Sequence, residues 1–183
     1  MSVESQMLPL GTEAPDFALP DVVTGDTVKL ADVADARALL VMFICRHCPY
    51  VRHVRAGIAQ LGRDHVDTGL AIVGISPNDP EEYPEDAPES LAEDAREAGY
   101  TFPYLFDETQ EVAKAYGAVC TPDFFGYNAK LQLQYRGRLD DSGRSPKPNA
   151  PRELFDAMVQ VARTGQGPRE QTASIGCSIK WRG

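Results

Sequence analysis

An α/β sandwich, with helices on both faces of a mostly parallel sheet, is the fold class this sequence predicts, on three observations. Residues 38–44 (A-L-L-V-M-F-I) are apolar throughout, as in a strand buried on both faces. Strand-like runs at 38–44, 70–75 and 102–106 alternate with segments of helical spacing. Two later runs, 124–127 and 131–135, flank Asn128-Ala129-Lys130 and read as an antiparallel hairpin that closes the sheet.

Taken in order, residues 11–20 (G-T-E-A-P-D-F-A-L-P) are punctuated by proline and read as an extended lead-in. Thr24-Gly25-Asp26 marks a turn between short strand-like stretches in 22–30, a small β-hairpin extension before the central strand 38–44. After Pro49, residues Val51, Val54, Ile58 and Leu61 recur at helical spacing. Proline is tolerated there because the first turn has no N–H partner to lose. Residues 70–75 form the second central strand. Residues 77–90 carry four prolines and six acids and read as a solvated loop rather than a partner-docking segment. Asp86 with Glu89 resembles a capping box for a helix through Leu91, Ala95 and Ala98 that stops at Gly99. The short strand 102–106 precedes a short helix, capped by Asp107 with Gln110, through Val112 and Tyr116 to Gly117. Asn149 and Pro151 open a last helix with Leu154, Met158 and Val161 on one face and Gly165 after it. The tail, 166–183, has no clear periodicity, and no internal repeat is visible. One domain is expected over 1–183, with its core at about 8–164 and a C-terminal tail at 165–183.

With 183 residues, 43% apolar and 25% charged, the chain has the composition of an ordinary globular protein. A net charge of -9 offers no phosphate-seeking surface, which argues against nucleic acid as a partner. No run approaches the roughly 18 apolar residues of a membrane span, so no membrane partner is expected. Residues 1–9 lack the basic and apolar pattern of a signal peptide, and the expected location is cytoplasmic. Four cysteines in such a chain point to catalysis, metal binding or plain burial rather than a disulfide frame.

The motif C-R-H-C-P, from Cys45 to Pro49, stands where the buried strand gives way to the helix. There the unpaired N–H groups and positive dipole end of a helix favour a thiolate. Cys45 is expected at the helix mouth as the attacking thiolate, with Arg46 and His47 supplying positive charge. Cys48 is expected one turn inside, more buried and less ionised, as the resolving thiol. A stabilised thiolate is a better leaving group, so the disulfide becomes more oxidising. The competing readings are two inert buried cysteines, or half of a zinc site. Zinc needs two more ligands, and no second C-x-x-C exists, so no metal is expected. Thr121-Pro122, entering the strand-like run at Phe124, is either a plain turn former or a cis-proline.

Joined together, these features resemble the thioredoxin superfamily. Within it, the chain is similar to a peroxiredoxin-like group related to the alkyl-hydroperoxide-reductase/thiol-specific-antioxidant (AhpC/TSA) and membrane-tethered thioredoxin (TlpA/ResA-like) families. The resemblance covers nearly the whole chain. It rests on residues 11–17 and 37–49, S-P-N-D-P at 76–80, residues 102–110, A-Y-G-A-V-C-T-P-D-F-F at 115–125, Y-R-G-R-L-D-D at 135–141 and G-C-S-I-K-W at 176–181. It implies a thioredoxin-like three-layer α/β/α sandwich. It also implies Cys45 as attacking thiol, Cys48 as resolving thiol, Pro122 as the cis-proline against the dithiol, and Thr121 as a backbone partner for a bound substrate strand. His47 matches the histidine of the more oxidising members. Two departures stand out. Phe43 and Ile44 replace the usual tryptophan before the dithiol, and the central strands hold no acid to act as buried proton acceptor.

The expected function is thiol–disulfide exchange through a mixed disulfide, with no bound cofactor. The expected partners are a protein or small-molecule disulfide substrate and thioredoxin, glutathione or a similar dithiol as electron donor. The alternative is a peroxiredoxin-like thiol peroxidase. Its family pattern P-x-x-x-T-x-x-C would make Cys48 peroxidatic, with Val41 at the proline and Cys45 at the threonine, and Arg136 or Arg138 as activating cation. A copper chaperone on the same fold is a third reading, weakened because the histidines are His47, His53 and His65, with none further along. Cys120 reads as a small buried residue beside the site, or else a modulator or third redox thiol. Cys177 reads as a packed thiol of the tail, or else a further redox thiol. Trp181 reads as a packing anchor.

Overall fold

The computed structural model describes residues 1–143, 145 and 147–183. The first elements are β1 (Ser2–Glu4), β2 (Ala18–Pro20), β3 (Thr27–Lys29), α1 (Leu30–Val33), β4 (Ala38–Phe43) and α2 (Pro49–Asp64). Next come β5 (Leu70–Ser76), a 3-10 turn (Pro84–Asp86), α3 (Pro88–Ala98), β6 (Tyr104–Phe106) and α4 (Glu111–Tyr116). The chain ends with β7 (Cys120–Thr121), β8 (Asp123–Asn128), β9 (Leu133–Tyr135), α5 (Glu153–Thr164) and β10 (Ile175–Ser178).

Every residue of β4 is buried, because it lies between β5 and β8 at the centre of a sheet ordered β6-β5-β4-β8-β9. β4, β5 and β6 are parallel, and β8 and β9 add antiparallel strands on the other side. Alternation along β4 feeds two cores. Ala38, Leu40 and Met42 pack with residues of α2, α3 and α5, such as Ile58, Leu91 and Met158. Leu39, Val41 and Phe43 pack on the opposite face with Phe17, Leu30, Ala113 and Tyr116. This is the three-layer α/β/α sandwich expected, with a thioredoxin-like sheet. Gly99 and Gly165 end α3 and α5 in the left-handed region, at φ 74° and 80°, as their positions in the sequence imply. Among the described residues, no helix is long and apolar enough to cross a membrane.

Several boundaries differ from expectation, each for a local reason. The N-terminal hairpin begins earlier, at Ala18. Asp21 starts the turn by accepting the N–H groups of Val23 and Thr24 on its side chain, so the loop spans 21–26. The last helix begins at Glu153 rather than around Asn149, which adopts φ 62°. Helix α3 is capped at Ala87, not by Asp86, whose carboxylate is used elsewhere. The tail carries β10, which lies between β1 and β7 in a second, antiparallel sheet. Gln110 does not complete a cap for α4. Its amide donates to the carbonyls of Pro77 and Lys180, and its oxygen accepts the Arg182 N–H, fastening the tail to the 77–90 loop.

Candidate active site

Cys45 and Cys48 stand in the turn between the end of β4 and the start of α2, facing the loop of Thr121 and Pro122. The Thr121-Pro122 peptide is cis. The Cys45 sulfur lies 3.4 Å from the Thr121 hydroxyl. In its thiol form Cys48 donates to the Thr121 carbonyl at 3.3 Å. The structure therefore brings Cys45, Cys48, Thr121 and Pro122 together. Both sulfur-bearing residues are buried, Cys45 at 1% exposure and Cys48 at 0%.

The division of charge differs from expectation. Helix α2 begins at Pro49, so Cys48, not Cys45, is its N-cap residue. Hydrogen bonding from the Cys45 thiol is the leading influence on Cys48. Although burial opposes ionisation, contacts with the Cys177 thiol and the Val51 N–H assist it, and Cys48 is lowered to about 4. Cys45 is pushed well above an ordinary thiol, first by burial, then by its hydrogen bond to Cys48 and by the Asp86 charge. The hydrogen bond between the two sulfurs thus favours the thiolate on Cys48, the N-cap residue, over Cys45.

Arg46 and His47 do not supply Cys45 with a free cation. The Arg46 guanidinium donates to the backbone and hydroxyl oxygens of Ser90 and pairs with Glu93 and Glu97 at 3.5 Å. His47 is bound to Asp86 and stacks on Tyr83, with ring centroids 4.6 Å apart. Asp86 is the functional residue that sequence reasoning missed. It lies in the segment read as solvated, yet it is 0% exposed. One oxygen accepts the backbone N–H groups of Arg46 and His47 at 2.8 and 3.1 Å, and the other accepts from His47 Nδ1 and the Asn78 amide. The ligand atoms of Cys45, His47 and Asp86 all lie within 4.8 Å of one another. A buried acid thus reaches the dithiol from a loop, not from the central strands. The available signal was S-P-N-D-P at 76–80, whose Asn78 is itself buried and donates to Asp86 at 3.0 Å.

Cys120 is buried, and its thiol donates to the Pro122 carbonyl at 3.6 Å. Burial, followed by the Asp123 charge, pushes its pKa far up, which leaves it a packed thiol. Cys177 is partly exposed and pairs with Thr121 in the β10–β7 ladder. Burial, then its contact with Cys48, raises it to about 11. Trp181 is 39% exposed beneath Lys114, whose ammonium lies 5.4 Å from the ring centre. A cleft of about 230 Å³ opens beside Pro122, bordered by Tyr50, Val54, Phe124, Leu139 and Ile175. Arg136 is fully buried against Asp123, donates to the Phe124 carbonyl at 3.2 Å and lies over the Phe125 ring. Arg138 forms a paired hydrogen bond with Glu153 at 2.8 and 2.9 Å. Both arginines, expected as activating cations on the alternative reading, are thus engaged by acids, Arg136 by Asp123 and Arg138 by Glu153.

Comparison with known proteins agrees with this geometry. The AhpC/TSA family profile matches residues 10–140. A Mycobacterium tuberculosis protein named "Putative peroxiredoxin" is 31% identical over 134 residues, covering 73% of this chain and 80% of the relative. The crystal structure of a conserved protein from Geobacillus kaustophilus superposes with a TM-score of 0.94 at 48% identity, covering 100% of this chain and 97% of that one. The thioredoxin domain of a thiol-disulfide oxidoreductase from Bacteroides vulgatus matches with a TM-score of 0.58 at 21% identity, over 72% of this chain and 91% of that one. That last likeness carries the fold alone.

Proposed function

Because the chain belongs to the AhpC/TSA family, as a peroxiredoxin-like thioredoxin-fold oxidoreductase, we propose that it exchanges disulfides through Cys45 and Cys48, with Cys48 as the attacking sulfur. The observation that carries this reading is the meeting of both sulfurs at Thr121, beside cis-Pro122, with the charge held on the helix N-cap. The Cys48 thiolate attacks one sulfur of a substrate disulfide, and the other sulfur leaves as a thiolate. Cys45 then gives its proton to the Asp86–His47 pair, attacks the Cys48 sulfur and expels the second substrate thiolate. The proton acceptor for Cys45 thus comes from a loop, whereas the buried acid that the central sheet does hold, Asp123 at the start of β8, contrary to the expectation of none, is taken up by Arg136. This order of attack reverses the roles that the resemblance implied for the two cysteines.

Cys48 is fully buried and bonded to Thr121 of the two-residue ladder between β7 and β10, so attack on a substrate requires local opening, for which separation of that ladder is the proposed route. The apolar cleft beside Pro122 supports an apolar side chain next to the substrate cysteine. A dithiol such as thioredoxin or glutathione is the proposed electron source. The cytoplasm, where thiols are kept reduced, is the proposed location.

The test is substrate trapping. With Cys45 and Cys177 replaced, C45S/C177S protein is expected to hold a peptide disulfide substrate as a stable mixed disulfide on Cys48, seen by mass spectrometry. Capture only by Cys45, in C48S/C177S protein, would overturn the assignment.

A peroxidase reading is favoured by one feature, the lowered pKa of Cys48 at the position a peroxiredoxin would use. The commitment of Arg136 and Arg138 to Asp123 and Glu153 weighs against it. Hydroperoxide consumption distinguishes the two, with fast turnover supporting the peroxidase.

A further inference from the structure

The edge of β7 next to cis-Pro122 is where a substrate strand was expected to pair, and the chain's own C-terminal strand occupies it. Cys177 stands opposite Thr121 and Ser178 opposite Cys120. The approach is close enough that only glycine fits at position 176, where a Cβ would overlap the Thr121 carbonyl oxygen. Ser174 strengthens the seat by donating to the Pro122 carbonyl at 2.8 Å. On the far side, β1 pairs Ser2 with Cys177 and Val3 with Gly176. This seating pairs Cys177 with Thr121, the residue whose carbonyl accepts from Cys48 at 3.3 Å and whose hydroxyl lies 3.4 Å from the Cys45 sulfur, so the three cysteines converge on one residue. Cys48 and Cys177 each influence the other's acidity. Of the three, Cys177 alone reaches solvent, since Cys45 and Cys48 are buried.

We infer that Cys177 is a third redox-active thiol that carries the disulfide from the buried Cys45–Cys48 pair to the surface, where a dithiol donor reduces it. The inference rests on the disulfide-exchange reading above. In the first step the Cys177 thiol loses its proton and its sulfur attacks the Cys48 sulfur. The Cys45–Cys48 bond breaks, and Cys45 leaves as a thiolate and takes up a proton. The oxidation state of the protein is unchanged. In the second step a thiolate of the donor attacks the Cys177 sulfur, and Cys48 leaves as the thiolate it favours at rest. The second thiol of the donor then closes the donor disulfide and releases Cys177 as a thiol. Two electrons pass from donor to protein. The low-lying Cys48 thiolate is the leaving group of this second step, and a good leaving group speeds exchange.

The experiment has two arms. In the first, C45S protein is oxidised with oxidised glutathione and mapped by mass spectrometry under non-reducing conditions. A Cys48–Cys177 disulfide is expected as the main product, and its absence overturns the inference. In the second, oxidised wild type and oxidised C177S are re-reduced by dithiothreitol and by thioredoxin under stopped flow. Re-reduction of C177S is expected to be slower by an order of magnitude, and an unchanged rate overturns the relay. Single-turnover reduction of a peptide disulfide by prereduced wild type tests the underlying reading separately. If that reaction fails, the oxidoreductase assignment falls. If it proceeds while both arms give the negative result, the relay alone falls.

Discussion

The Asp86 carboxylate holds the dithiol turn from both sides through His47, accepting its ring N–H on one oxygen and its backbone N–H on the other. Burial pushes Asp86 upward, but the His47 contact and the hydrogen bonds from Asn78 and the Arg46 backbone more than offset it, and the acid stays below the usual carboxylate range. Its charge also helps to keep Cys45 protonated at rest. The same pair therefore suppresses Cys45 while the site waits and can receive its proton when Cys48 carries a substrate.

Replacing Asp86 by asparagine separates those roles. Asp86→Asn keeps an acceptor for the Arg46 and His47 N–H groups but removes the charge. Resolution of the mixed disulfide is expected to slow on the order of 10²-fold, the typical size of a positioned acid–base contribution, so the mixed disulfide accumulates. The stability effect has a defined sign. A carboxylate depressed in the folded state stabilises above its unfolded value of about 3.9 and loses that contribution as pH falls through the folded value. The gap between wild type and D86N in urea unfolding is therefore expected at neutral pH and should narrow below pH ~4. A gap that widens on acidification would contradict the assignment.

The Cys48 charge gives a second measurable outcome. One thiolate is expected in the ultraviolet absorbance of the reduced protein, titrating at about 4 and absent in C48S. Because Cys45 makes the largest lowering contribution, C45S is expected to move the titration upward. A thiolate favoured to this extent stabilises the reduced pair, so the disulfide should be more oxidising than the roughly −270 mV of thioredoxin. A redox titration against glutathione checks this directly. No thiolate until the alkaline range would place the charge elsewhere.

Gly176 allows a third test. Adding a methyl group in Gly176→Ala forces β10 off the Thr121 carbonyl, while the five-stranded sheet does not involve this strand. Alkylation of Cys48 by iodoacetamide is expected to accelerate severalfold, with near-native thermal unfolding. An unchanged alkylation rate would mean that β10 does not cover the sulfur.

How much of this was legible in the sequence varies with the range of the interaction. The 38–44 run, the α2 periodicity and the glycine stops reported local physics, and they placed the sheet and the dithiol turn correctly. Asp86 was misread because its neighbourhood obeys two patterns at once. Asp-x-x-Glu beside a helix resembles a capping box, and a Pro-rich acidic stretch resembles a solvated loop. Only the tertiary fold shows the Arg46 and His47 N–H groups waiting 39 to 40 residues away. The charge on Cys45 was expected because Arg46 and His47 flank it in sequence. In space, Glu93, Glu97 and Asp86 engage those side chains first. The β10 strand was invisible because a four-residue I-G-C-S segment has no period to detect, and its partners lie at residues 2–4 and 120–121.

The Arg136–Asp123 pair closes the question of a hidden activating cation. Both side chains are fully buried, and the guanidinium reaches both carboxylate oxygens as well as the Phe124 carbonyl. Burial nevertheless raises Asp123, so the acid depends on the arginine for its charge. Removing one member of such a pair strands the other, at a cost of about 3–5 kcal/mol, whereas replacing both with apolar residues of similar volume is often neutral. Arg136→Met is therefore expected to lower thermal stability strongly, and the double variant Arg136→Met/Asp123→Leu to recover most of the loss. In the folded fraction of either variant, the titration of Cys48 should stay near its wild-type position, because the Arg136 guanidinium is engaged by Asp123 and the Phe124 carbonyl. A large upward shift of Cys48 in the stable double variant would show that Arg136 acts on the thiolate, and would move the balance toward a peroxidase.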